Sequence, residues 1–205
     1  SSGLWSVLRS SEDEVLKGSL LITLYENLRW KTISPQGFRE EMLAYLPNES
    51  NSLLFSMALS YLGDCQRIFP SDSRPLEQVL WKIVTTNPVS QHRLQAFRLY
   101  RSIADSEEAV QRLYTLWQER KAPKDCTLSE SDYIGLSYML AMHLPEKADK
   151  IIATQLSRIQ NPDRKKEYQF ISPSVSPRKA ERDSVFASLL IAGNRRVEPW
   201  ASSAL

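Results

Sequence analysis

Ser11-Glu12-Asp13-Glu14-Val15-Leu16-Lys17-Gly18-Ser19-Leu20-Leu21-Ile22-Thr23-Leu24-Tyr25-Glu26-Asn27-Leu28 is the stretch on which the fold class turns. Leu16, Leu20, Leu24 and Leu28 recur every four residues, the interval that brings side chains to one face of a helix, and Val15 widens the stripe. A half-buried strand would instead alternate apolar and polar residues. Ser11 and Glu14 stand at capping-box spacing, so the helix is expected to start there.

The same pattern continues to the end of the chain. Ser34-Pro35 reads as a cap followed by proline in the first turn, and that helix closes near Pro47. Leu53, Leu54, Met57, Ala58, Tyr61 and Leu62 mark the next helix, which breaks toward Phe69-Pro70. Leu76, Val79, Leu80, Ile83 and Val84 mark another, ending before Asn87-Pro88. Further stripes follow at Leu94, Phe97 and Tyr100, and at Val110, Leu113, Tyr114 and Trp117. Beyond the loop at Lys121–Asp125, Ser129 and Asp132 read as a second capping box, and Asn161-Pro162 and Ser176-Pro177 as two more helix starts. The last clear helix is expected to bury Val185, Phe186, Leu189 and Leu190. No stretch reads as a strand, so the chain is expected to be all-α.

Taken in pairs, the helices begin near residues 12, 52, 90, 131 and 162. A spacing of about 40 residues belongs to HEAT and armadillo units, whose stacked pairs make one continuous core. The expectation is a single helical-repeat domain over residues 1–205, arranged as an α-solenoid of stacked antiparallel helix pairs.

Composition limits the function classes. The chain carries 26 basic and 24 acidic side chains, a formal net charge of +2. Nucleic-acid binding draws on a strong positive excess, so no nucleic-acid partner is expected. Residues 158–196 do concentrate nine basic side chains against four acidic ones, which reads as solvated helix faces or as a docking face. No run approaches the roughly 18 apolar residues of a membrane span. Nor does the sequence reveal a compartment. Cys65 lies on an apolar helix face and Cys126 in a loop; two cysteines permit one bridge without requiring it.

Candidate chemistry is sparse. His92 and His143 stand in different helices, and neither belongs to a His-Glu-x-x-His pair that would put two zinc ligands on one face. There is no Gly-x-Ser-x-Gly elbow and no glycine-rich phosphate loop. Glu40-Glu41 and Glu107-Glu108 read as exposed or capping acids. No catalytic residue and no metal ligand is therefore expected in this chain.

Three pieces are more distinctive: Phe170-Ile171-Ser172-Pro173-Ser174-Val175-Ser176-Pro177, Arg182-Asp183-Ser184-Val185-Phe186-Ala187-Ser188-Leu189, and Asn194-Arg195-Arg196-Val197-Glu198-Pro199-Trp200. Together they resemble the C-terminal helical region of bacterial M1-family (gluzincin) zinc aminopeptidases. Upstream pieces, such as Leu24–Leu28 with Ile33-Ser34-Pro35 and Ala109–Trp117, look similar too. The resemblance implies a non-catalytic domain that closes over the active site and shapes peptide access. Its partners would be the catalytic domain of the same polypeptide and a peptide substrate. The zinc of such enzymes belongs to that catalytic domain, whose motifs do not occur here.

Arg182, Arg195 and Arg196 are the candidates to meet a peptide carboxylate or another domain, because guanidinium forks pair with carboxylates in bidentate fashion. A structural pair between Arg195 and Glu198 is the competing reading. Glu198–Leu205 looks like the opening of another helix, which suggests an excised fragment of a longer chain. The alternative function is a free-standing HEAT-like scaffold for protein–protein interaction.

Overall fold

A computed structural model describes residues 2–205. Twelve α-helices and four short 3-10 turns make up the regular structure, with no strand among the described residues. The chain is all-α. It divides into two compact units, one made of the residues up to 106 together with 122–127, the other of 107–121 and 128–205.

The first unit holds α1 (Ser2–Ser10), α2 (Glu14–Arg29), α3 (Pro35–Tyr45), α4 (Ser52–Ile68), α5 (Arg74–Thr86) and α6 (Ser90–Ile103). Helix α2 packs on α4 and α4 on α6, while α3 lies against α2 and α4, and α5 against α6. Leu21, Leu24, Leu28, Phe38, Phe55, Leu62 and Phe97 are buried among them. Gly63 permits the α4–α6 approach, since a Cβ there would stand 2.9 Å from the Leu99 side chain.

Two of the expectations for this region are corrected. Helix α1 lies ahead of the expected first start and buries Trp5 and Leu8, with Trp5 edge-on to Phe38. The cap of α2 is Asp13, not Ser11: its carboxylate accepts from the amides of Val15 and Leu16, while the Ser11 hydroxyl accepts from the Asp13 amide. A carboxylate is the better partner for the positive end of a helix. Val15 and Leu16, which precede the packed turns of α2, are exposed, as is Leu53 at the start of α4.

Buried polar groups of the first unit are held by specific partners. Glu77 of α5 accepts from the amides of Asp105 (2.8 Å) and Ser106 (3.0 Å) and from the hydroxyls of Ser73 (2.8 Å) and Ser106. Burial alone would raise this carboxyl, but those four donors outweigh it and hold it below the usual carboxylate range. His92 is fully buried, stacked on Phe55 at 4.1 Å, with Nε2 3.0 Å from the Ser52 hydroxyl and no partner at Nδ1. Burial pushes the imidazole down, so it is neutral. Placing its proton on Nε2 leaves only an acceptor unpaired, which assigns the tautomer.

The second unit holds α7 (Glu107–Glu119), α8 (Glu130–His143), α9 (Ala148–Arg158), α10 (Pro162–Ile171), α11 (Lys179–Leu189) and α12 (Glu198–Ala204). The capping box at Ser129 and Asp132 forms as expected, and Asn161 caps α10. Helix α8 packs on α7 and α9, and α10 on α12. The Tyr168 hydroxyl pairs with Ser137 inside the unit at 2.9 Å. Trp117 donates its indole N–H to Gln155, and Arg158 lies over the Trp117 ring.

Arginines act repeatedly as caps for carbonyls at the ends of other helices. Arg158 donates to the Trp117 and Gln118 carbonyls at the end of α7, at 2.9 and 3.2 Å. Arg39 does the same for the Phe69 carbonyl that follows α4, at 2.9 Å. The last carbonyls of a helix have no partner within it and carry the negative end of its dipole, so a cation there is favourable on both counts. Part of the basic excess of residues 158–196 is consumed in this way.

Candidate functional site

Residues 161–178 fold into an elbow. Asn161 accepts from the amides of Asp163 and Arg164, and Pro162 occupies the first turn, so α10 starts there for local reasons. Tyr168 and Ile171 anchor its end in the core. Pro173 lies in a 3-10 turn over Ser172–Val175 directly after the helix. The Ser176 hydroxyl then accepts from the Arg178 amide at 3.1 Å, closing the turn from which α11 departs.

A cleft lies on either side of this elbow. One, of about 290 Å³, has α9 as its opposite wall, through Ala148, Ile152 and Leu156. The other, of about 370 Å³, reaches Met142 and Pro145 and includes Arg182. Between α9 and the elbow, Arg178 forms a two-pronged pair with Asp149 at 2.8 and 2.9 Å and also meets Glu181. The Arg178 guanidinium holds the carboxyls of Asp149 and Glu181 below the usual range.

The three candidate arginines have separate surroundings. Arg182 Nη1 donates to the Ser176 carbonyl at 2.6 Å, near the start of α11. Arg195 Nη1 donates to the Leu189 carbonyl at 2.9 Å, at its far end. Leu189 is seven residues beyond Arg182, about 10 Å along a helix. No ion pair joins Arg195 to Glu198 among the described residues. Arg196 is exposed.

The expectation that α11 buries four apolar residues is corrected. Only Leu189 is buried, at 4% exposure; Val185 is half-buried. Phe186 is 61% exposed and Leu190 69%, and Ile191 just beyond the helix is 62% exposed. Helix α11 packs against the 3-10 turns that flank it and presents the rest of its apolar surface outward.

The Asp149–Arg178–Glu181 cluster escapes sequence reasoning. The spacing of three between Arg178 and Glu181 is its only local signal, because Asp149 lies 29 residues away. No group of three or more His, Cys, Asp and Glu side chains that could hold a metal ion occurs among the described residues. No described helix is long and apolar enough to cross a membrane. Neither a family model, nor a curated protein, nor a solved structure matches the chain.

Proposed function

We propose that this chain is the non-catalytic C-terminal helical domain of a zinc metallo-aminopeptidase, closing and shaping the chamber through which peptides reach the catalytic domain. The observation that carries this reading is the outward apolar face of α11. Phe186, Leu190 and Ile191 lie within the stretch spanned by the resemblance, and each is more than half exposed. Covering apolar surface yields about 25 cal/mol per Å², so exposed apolar side chains of this size fit an interface. On this reading the cover is the catalytic domain of the same polypeptide. That domain would also hold the zinc, as the resemblance implies.

The finer architecture belongs to the same proposal: helix pairs stacked as a HEAT/armadillo-like α-solenoid. In its support, α2, α4, α6 and α8 begin at residues 14, 52, 90 and 130, at a nearly constant interval, and α10 follows at a shorter one, at residue 162. Within the first unit, α2, α4 and α6 are successive neighbours, as alternate helices of stacked pairs are. Arg182 and Arg196 keep donors free for a peptide carboxylate or for another domain; Arg195 keeps the remainder of its fork.

The test is to express the native reading frame that contains this segment and assay it on aminoacyl anilides. Zinc-dependent release of the amino acid is expected, from a frame that carries His-Glu-x-x-His upstream. Replacing Phe186 and Leu190 by serine in that protein should loosen the domain and relax its discrimination between short and long peptides. A frame without the zinc helix and without peptidase activity would overturn the proposal in favour of a free-standing interaction scaffold.

A further inference from the structure

The groove between α9 and the elbow combines an apolar trough with a polar end of defined charge. Ala148, Ile152 and Leu156 recur every four residues along one side of α9 and span about 12 Å at 1.5 Å per residue. Pro173 and Pro177 form part of the other wall. Neither proline has an N–H, so their share of this wall offers apolar contact without backbone donors. The Asp149–Arg178–Glu181 cluster lies at the Ala148 end.

Hydrogen-bond accounting shows what that end can accept. Arg178 commits Nε and Nη2 to Glu181, and Nη1 and Nη2 to Asp149, which uses four of its five N–H donors. Each of the four carboxylate oxygens takes one of those bonds, the Ser176 hydroxyl donates a further one to Glu181, and lone pairs remain on both carboxylates. Two carboxylates and one guanidinium leave one negative charge. Lys179, next in sequence, is turned to Asp183 at 2.6 Å, and Lys150 lies outside the groove lining. The cluster is therefore short of donors and rich in acceptors, and it repels an anion.

We infer that this groove binds an extended polypeptide segment that carries an arginine. The segment's apolar side chains lie along Ile152 and Leu156, and its guanidinium takes the free lone pairs of Asp149 and Glu181. A trough of about 12 Å matches three to four extended residues at about 3.3 Å each. Arginine suits the end of the groove because its flat fork pairs with carboxylates and its aliphatic stem lies comfortably on an apolar wall. The inference uses only groups of the second unit and stands whether or not the chain belongs to an aminopeptidase.

The test is a titration of the intact 205-residue chain, 15N-labelled, with the peptide acetyl-Leu-Arg-Leu-Ala-amide at low ionic strength. Saturable amide shifts are expected at residues 148–156 and 172–181. The acetyl-Leu-Glu-Leu-Ala-amide counterpart should bind at least about tenfold more weakly, because like charges would meet at the groove end. Ala153 is exposed and lines the groove, so Ala153→Arg should leave the fold intact and abolish the shifts by placing a cation in the trough. Equal binding of the glutamate peptide, shifts centred elsewhere, absence of saturation, or undiminished binding by a folded Ala153→Arg chain would each overturn the inference.

Discussion

In α5, Leu76, Leu80, Ile83 and Val84 are all 3% exposed or less, whereas in α11 Leu189 is covered and Phe186 and Leu190 are not. Both helices carry apolar residues at helical spacing, although the stripe of α5 is much more sharply one-sided than that of α11. The neighbours differ as well. Helix α5 packs closely on α6, while α11 packs mainly on the short turns before and after it. An apolar stripe states which face of a helix prefers to be buried; whether a surface exists to cover it is decided elsewhere in the chain or in a partner.

That contrast can be broken most directly at its extremes. Leu80→Ala should cost about 2–5 kcal/mol in urea unfolding of the chain, since it empties a closed site. If the loss were under about 1 kcal/mol, α5 would not be covered as described.

A smaller effect belongs to the polar side of the same helix. Glu77→Gln exchanges an ionised acceptor for an amide beside four donors, and should cost about 1–3 kcal/mol at neutral pH. Its pH dependence has a fixed sign. The folded carboxyl is depressed, so the unfolded chain binds the proton first as pH falls. The stabilisation is complete above the ordinary carboxylate range, near about 4.3, and is lost as pH falls through the folded value. The variant should therefore show a flatter stability profile below about pH 4.3. His92, neutral and depressed by burial, should still weaken both proteins as pH falls below about 6.5. An unchanged acid limb in Glu77→Gln would show that this carboxylate is not held by its donors.

The smallest effect is expected on α11. Phe186→Ser in the 205-residue chain should move stability by less than about 0.5 kcal/mol, because the ring is already in water. A cost comparable to that at Leu80 would mean that α11 is covered within this chain and would remove the support for an interface there.

Particular residues show how far the sequence could be read. The capping box of Ser129 and Asp132, the Ser34-Pro35 start and the Asn161-Pro162 start are all present in the structure, because each depends on groups within three or four residues. Asp13 displaced Ser11 as a cap, a choice between two competent residues two positions apart that composition does not settle. Helix α1 is only nine residues long, and its Trp5 is recognisable as core only once Phe38, 33 residues on, stands beside it. The candidate site was less legible. Arg182 and Arg195 stood out by type as candidates to meet a carboxylate, yet their partners in the structure are backbone carbonyls, which no side-chain pattern announces.

By itself the sequence determined the all-helical class, most of the helix starts, and the lack of a histidine pair or nucleophile motif. Each is set by short-range rules, where hydrogen bonds and side-chain periodicity act within about one turn. Only the tertiary structure decided which stripes are covered, and which arginines are spent on carbonyls. It alone showed that Asp149 meets Arg178 across the elbow. The Asp149–Arg178 and Arg158–Trp117 contacts join groups 29 and 41 residues apart and depend on how helices pack rather than on how each one forms.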